Sequence, residues 1–327
     1  MRSTDRLYKY LTAAVAGITL VAVVIPGVSL AFSAYGSLVV NGLAFFTTTV
    51  WRSGDQNAIV TVKGVQTLQG SSYGVIVFVS GTLASSAIAL LLAIPTGLGV
   101  AIFLSRIAPR RLAGPISFAV ELLAGIPSVI YGFWGFAVLG PFLLNTLEPF
   151  LADHLSFLPI FKGPFSSSGG LLTAGIILAI MVVPIVASIS RDVMAQTPSH
   201  LTEGAKALGL TRWEITRRVV LPYARTGIIG SVVLGLGRAL GETMAVAMVA
   251  GTGVQLVPQT LFYPVSTIAA FLALSLNSAF TDPSGMNVSA LMELALVLLA
   301  ITFVVNIVAR LLIKQGFASK SDTIVRV

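Results

Sequence analysis

The chain has no cysteine, only two histidines, and little charge. Twelve acidic and 20 basic residues make up 10% of 327 positions. Without cysteine there is no disulfide, no thiol nucleophile and no thiolate metal site. His154 and His200 fall in different predicted loops on opposite sides of the hydropathy pattern, which argues against a metal site built on them. The phosphate-binding pattern G-x-x-x-x-G-K-[S/T] is absent, so the sequence offers no ATP-hydrolysing site of its own. The low charge also argues against an ordinary soluble domain, which carries about 25% charged residues.

What fills the chain instead is apolar: 56% of its residues are hydrophobic. Runs of about 20 apolar residues recur, each long enough to cross a hydrocarbon core about 30 Å thick. They are too long and too uniformly apolar for barrel strands. Six spans are predicted near 11–33, 74–104, 114–143, 170–190, 226–250 and 289–312, which describes an all-α polytopic membrane protein. The first span follows a basic stretch, but its apolar run exceeds the 7–15 residues of a usual signal core, so it reads as an uncleaved span. Pro264–Phe280 is shorter and interleaved with Ser, Thr and Asn, and reads as an interfacial or re-entrant helix.

Sixteen of the 20 basic residues fall on one side of this pattern, and only Arg52, Lys63 and Lys162 on the other. The positive-inside rule then places both termini in the cytoplasm. The formal charge of +8 is mostly this topogenic charge and calls for no nucleic acid.

The largest cytoplasmic loop runs over 191–225 and is punctuated like two short helices. Thr197 can cap the first, with Pro198 at its first position, where a missing N–H costs little. Gly209 suits the position just past its end. Thr211 and Glu214 have the spacing of a capping box for the second helix, with Pro222 near its end. Leu201, Ala205 and Leu208 share one helical face. On spacing alone, a solvated amphipathic connector would also fit.

The order Glu203-Gly204-Ala205, Gly209 and Leu221-Pro222 resembles the EAA loop of ABC importer permeases, with Gly204 in place of the middle alanine. The resemblance implies that the loop docks on a separate ATPase subunit. Leu201, Glu203, Gly204, Ala205, Leu208 and Gly209 are then the expected coupling residues. This chain would bind no cofactor itself; ATP and magnesium would belong to the partner ATPase.

Inside the fifth predicted span, "GSVVLGLGRALGETMAVAMVAG" (Gly230–Gly251) carries Arg238 and Glu242. With the span starting near Thr226, Arg238 lies about 18 Å along a helix rising 1.5 Å per residue, near mid-membrane. An ionised side chain there costs at least about 2.5–3.5 kcal/mol and ordinarily faces a bundle interior or an aqueous cavity. Four residues apart on one helix, the two would share a face. An intrahelical pair and glue across a permease dimer are the structural alternatives to a pathway role. Glu121 is expected about seven residues into the third span. "GIPS" after it puts Gly125 and Pro127 inside that span, where proline kinks a helix. Ser128 and Tyr131 offer hydroxyl donors nearby, with packing through small residues as the alternative. Glu293, near the outer end of the last span, is expected at the interface.

"ELLAGIPSVIYGFWG" (Glu121–Gly135), "EGAKALGLTRWEITRRVVLPYARTGIIG" (Glu203–Gly230) and "GLGRALGETMAVAM" (Gly235–Met248) are similar to the C-type permease subunits of bacterial phosphate-specific ABC importers, the Pst systems. Trp51 and "GTLASS" (Gly81–Ser86) add to the likeness, which covers roughly 35–312. It implies a type I (MetI-like) permease core over 74–312, preceded by a helix and outer segment over 1–73 and followed by a cytoplasmic tail over 313–327. It also implies phosphate as substrate, a homologous A-type permease, two ATPase subunits and an extracytoplasmic phosphate-binding protein. Arg238, Glu242, Glu121, Ser128 and Tyr131 would line or gate the path. A proton-coupled secondary transporter and an ABC permease for another oxyanion are the competing readings.

Overall fold

The computed structural model describes residues 3–162, 169–251 and 257–324. The turn-rich lead Lys162–Gly170 therefore lies largely outside the described residues. Among the described residues, six helices are long and apolar enough to cross a membrane: Tyr8–Ser33 within α1 (Ser3–Ser33), α4 (Ile76–Ile107), α6 (Ser128–Leu155), α7 (Leu171–Ala195), α9 (Arg212–Gly241) and Met286–Leu311 within α12 (Met286–Ile324). The expected number of spans holds, but two of them begin or end elsewhere.

The predicted third span, 114–143, is not one helix. Helix α5 (Arg110–Gly125) stops, Ile126 and Pro127 are extended, and α6 starts at Ser128. Proline pushes the residue before it out of the helical region and has no N–H to continue the ladder. The signal read as a kink is a break. Pro222 goes the other way. It was expected near the end of a short helix, yet the helix runs unbroken from Arg212 to Gly241, with a wider π-type turn over Thr216–Val220 just before the proline.

The chain forms two compact units. The smaller comprises residues up to Val75 with Leu274–Ile301. After α1 come α2 (Tyr35–Asn41), α3 (Ala44–Thr47) and an antiparallel hairpin of β1 (Asp55–Val62) and β2 (Val65–Gln69). The hairpin is an addition to the expected all-helical architecture. Lys63 and Gly64 both have positive φ (49° and 82°), the two-residue turn that matches strand twist. The Lys63 ammonium donates to the Val39 carbonyl at 2.9 Å, at the carbonyl end of α2. Behind the hairpin, the rings of Trp51 and Tyr73 meet edge to face at 5.1 Å. The Tyr73 hydroxyl donates to Asn287 Oδ1 at 2.6 Å. Burial, reinforced by Asp282, pushes this phenol above its usual range.

Glu293 departs from expectation: it is 1% exposed, not interfacial. The Ser37 hydroxyl lies 2.5 Å from Glu293 Oε2, and Asn41 donates to Ser37 Oγ at 2.9 Å. Ser289 accepts the Ser37 N–H at 3.0 Å and donates to the Ser33 carbonyl at 2.8 Å. A polar seam thus joins α2 to α12 and supplies the partner that a carboxyl group in an apolar helix needs.

The larger unit comprises Ile76–Ala273 with residues from Thr302 onward, and its core is built on small residues. Helix α4 packs along α7 through Ala89, Ala93 and Ala101, each fully buried. Gly97 lies against Val186 and Gly175 against Ile88, so close that a Cβ at either glycine would fall within 3.0 Å of the neighbouring side chain. Helix α9 meets α7 where Gly235 faces Val182 and where Ser190 and Ser231 share a hydrogen bond of 3.0 Å. Close backbone approach through small residues, with a hydroxyl pair as glue, is how helices associate without a hydrophobic driving force. Helix α10 (Met244–Val249) packs on α6, where Gly132 faces Ala245. Helix α11 (Ile268–Ala279) has 12 residues, about 18 Å at 1.5 Å each, too short to span. This is the short helix expected over Pro264–Phe280. Its first N–H, from Ile268, is capped by Thr82 Oγ1 at 2.9 Å.

Candidate functional site

The stretch Gly230–Gly251 does not form one helix. Helix α9 ends at Gly241, Glu242 is extended (ψ 122°), and α10 begins at Met244. Arg238 sits in the last turn of α9, where the carbonyl end of the helix favours a cation. Glu242 lies beyond that end, and its Oε1 accepts a long 3.4 Å hydrogen bond from the Ala245 N–H. The expected shared helical face is therefore lost. Among the described residues, the ion pairs are those of Arg191 with Glu121 and Asp192, and Arg238 and Glu242 form none. Arg238 Nε is buried without a hydrogen-bond partner.

Arg238 lines a groove of about 590 Å³ with Ile185 of α7, Gly230, Leu234 and Gly237 of α9, and Asn306 of α12. Asn306 was not singled out in the sequence. A polar side chain in an apolar span is the signal that could have found it.

Tyr131 is buried. Its hydroxyl donates to the Leu123 carbonyl at 2.9 Å, across the break at Ile126-Pro127. At the end of α5 the Leu123 carbonyl accepts only a long 3.4 Å bond from the Ile126 N–H, and Tyr131 supplies it with a second donor. Ser128, the first residue of α6, is half-buried. Glu121 is not inside a spanning helix as expected. It lies on α5, with its side chain 54% exposed and 3.0 Å from Arg191 Nη2. Gly132, next to Tyr131, faces Ala245, whose N–H Glu242 accepts, while Glu121 is held apart in its own pair.

The 191–225 segment folds largely as its punctuation predicts. Helix α8 spans Ser199–Ala207, and Gly209 follows with φ +81°. Thr211 Oγ1 accepts the Glu214 N–H at 3.3 Å, and Glu214 Oε2 accepts the Thr211 N–H at 2.9 Å, completing the capping box. Thr197 is the exception. Pro198 takes the cap position, and the Thr197 hydroxyl donates to the Met194 carbonyl at 2.9 Å, closing off α7 instead. Leu201, Glu203, Gly204, Leu208 and Gly209 are exposed, Leu208 to 80%. Ala205 is not part of that open face: it is buried against Met194, Ile215, Val220 and Ala224. Trp213, 57% exposed beside the capping box, is an aromatic that sequence reasoning passed over.

The family model of binding-protein-dependent transport system inner membrane components matches residues 93–315, more than half the chain. The chain belongs to that family. Membership makes it a multi-pass membrane permease, the transport subunit of an ABC importer and not its ATPase. Permeases of this family work with a separate ATPase and a substrate-binding protein. It also sets aside the reading as a secondary transporter. Similar relatives are the phosphate transport system permease protein PstC 1 of Mycobacterium tuberculosis, 42% identical over 302 residues (91% of this chain, 89% of that protein), and PstC of Haemophilus influenzae, 48% identical over 248 residues (74% and 76%). Among solved structures, the inward-facing MetNI methionine ABC transporter in its native crystal form aligns with a TM-score of 0.51. It is 18% identical and covers 73% of this chain and 96% of that one, a likeness of fold.

Proposed function

We propose that this permease is the C-type subunit of an ATP-driven inorganic phosphate importer and forms half of the translocation path. The observation that carries the reading is the identity to PstC relatives, 42% over nine-tenths of the chain for the M. tuberculosis protein. The chemistry of the site agrees. Arg238 is a permanent cation in an apolar helix, free of any ion pair among the described residues, beside an open groove. A guanidinium offers several donors in a planar fork suited to phosphate.

Within this reading the residues take distinct roles. Arg238 attracts and passes the anion. Glu242, just past the end of α9, is poised to neutralise Arg238 when the path is empty, so that an arriving phosphate competes for the guanidinium. Tyr131 braces the helix break at Ile126-Pro127, and Ser128 offers a further hydroxyl at the same break. Leu201, Glu203, Gly204, Leu208 and Gly209 form the surface offered to the ATPase, with Ala205 fixing that surface to the bundle. The second half of the path is a homologous A-type permease, and two ATPase subunits supply ATP and magnesium chemistry. The hairpin is our candidate for contact with the phosphate-binding protein. It precedes the family-matched region yet falls within the stretch aligned to the M. tuberculosis PstC 1.

The assembled complex, purified with its ATPase and reconstituted with a phosphate-binding protein, tests the reading. ATP-dependent phosphate uptake that is lost in Arg238→Gln with the complex intact is the expected result. Normal phosphate uptake by Arg238→Gln sinks the pathway role. Uptake of a different oxyanion in preference to phosphate sinks the substrate assignment.

A further inference from the structure

We infer that Asn306 is a second polar station on the oxyanion path, lying between Arg238 and the cytoplasmic exit. This rests on the phosphate-importer reading and adds to it a residue on a different helix. Gly230, Leu234, Gly237 and Arg238 fall at helical spacing on one face of α9, and Asn306 lines the same groove from α12. The groove runs lengthwise. Arg238 is thirteen residues beyond Arg225, about 20 Å along the helix, and Gly230 is five residues beyond it, about 7.5 Å. Asn306 is four residues before Arg310, about 6 Å. Arg225 and Arg310 belong to the basic side that the charge distribution assigns to the cytoplasm. Asn306 and Gly230 therefore mark the shallow end of the groove and Arg238 the deep end.

The chemistry of the amide suits a station and not a trap. Asn306 Nδ2 donates to the Thr302 carbonyl at 2.8 Å. One further N–H and the Oδ1 acceptor are left for the groove. Hydrogen phosphate presents acceptor oxygens together with a hydroxyl donor, and an uncharged amide can answer both. It holds the anion less firmly than a guanidinium does, so the anion is released toward the exit.

The absence of native cysteine in this chain makes the test direct. In the whole reconstituted complex, Asn306→Cys is expected to react with a membrane-impermeant thiol reagent from the cytoplasmic side, and inorganic phosphate should slow that reaction. Val304→Cys, two residues away and about 200° around the helix, should not react. Asn306→Asp, which sets an anion in the path, should lower phosphate uptake about tenfold or more through charge repulsion, with unchanged phosphate affinity of the binding protein. No modification of Asn306→Cys in any nucleotide state, equal modification of both cysteines, or wild-type uptake by Asn306→Asp would overturn the inference. If Asn306→Asp transports normally while Arg238→Gln does not, only this inference falls. If the wild-type complex instead prefers a different oxyanion to phosphate, the parent reading falls with it.

Discussion

Arg191 Nη2 lies 3.0 Å from Glu121 Oε1 and 2.8 Å from Asp192 Oδ1, so one guanidinium ties the short helix α5 to the end of α7. The Glu121 side chain is half exposed, and exposed pairs contribute about 0–1 kcal/mol. We expect a double-mutant cycle of Glu121→Gln and Arg191→Gln, read as thermal stability of the purified complex, to give a coupling energy below about 1 kcal/mol. A loss of uptake in Glu121→Gln with no stability change would return Glu121 to the path.

Gly209 and Gly204 lie five residues apart in the same segment and should respond oppositely to alanine. Gly209 has φ +81°, a conformation that costs an L-residue roughly 1–2 kcal/mol, so Gly209→Ala should destabilise the complex by about that much. Gly204 is helical, exposed and has nothing within 4 Å of a Cβ. Gly204→Ala should stabilise α8 by about 0.5–1 kcal/mol. Thermal melts of the two variants side by side check both signs.

Ser37→Ala removes the hydroxyl beside Glu293 and leaves that buried carboxyl without its partner in the seam. The expected cost is about 1–3 kcal/mol, the penalty of an unsatisfied buried polar group. Glu293→Gln keeps a group able to pair with Ser37 and should cost less. The ordering of melting temperatures, with Ser37→Ala lowest, is the measurement.

Tyr131→Phe deletes the bond to the Leu123 carbonyl and little else. The expected loss is about 1 kcal/mol of stability. If the hydroxyl serves only this carbonyl, uptake per assembled complex should stay within about twofold of wild type. A tenfold fall in uptake without a stability change would make the hydroxyl a substrate ligand.

Legibility tracked locality. The capping box of Thr211 and Glu214 and the left-handed Gly209 are decided within three or four residues, and both could be read from spacing. Length and hydropathy were enough for six spans. The hairpin was missed although its signal was present: β-branched runs flank Lys63-Gly64, a two-residue turn. The break at Ile126-Pro127 was underestimated because proline in an apolar run signals a kink and a stop alike. The break at Glu242-Thr243 carries no proline, and α10 is held by packing against α6 that no local pattern reveals. Glu293 finds its partner in Ser37, 256 residues away in the chain, and Ser289 bonds to α2 beside it through the Ser37 N–H. Only tertiary structure could show that, just as it was tertiary structure that placed Asn306 on the groove that Arg238 lines.

Ala205 is packed into the same cluster as Met194 at the end of α7, Ala101 on α4 and Ala224 on α9. With Gly209 and the capping box fixing the turn that follows, α8 has no slack of its own. That cluster ties α8 to three spanning helices at once, and thirty residues beyond Leu208 the last turn of one of them carries Arg238.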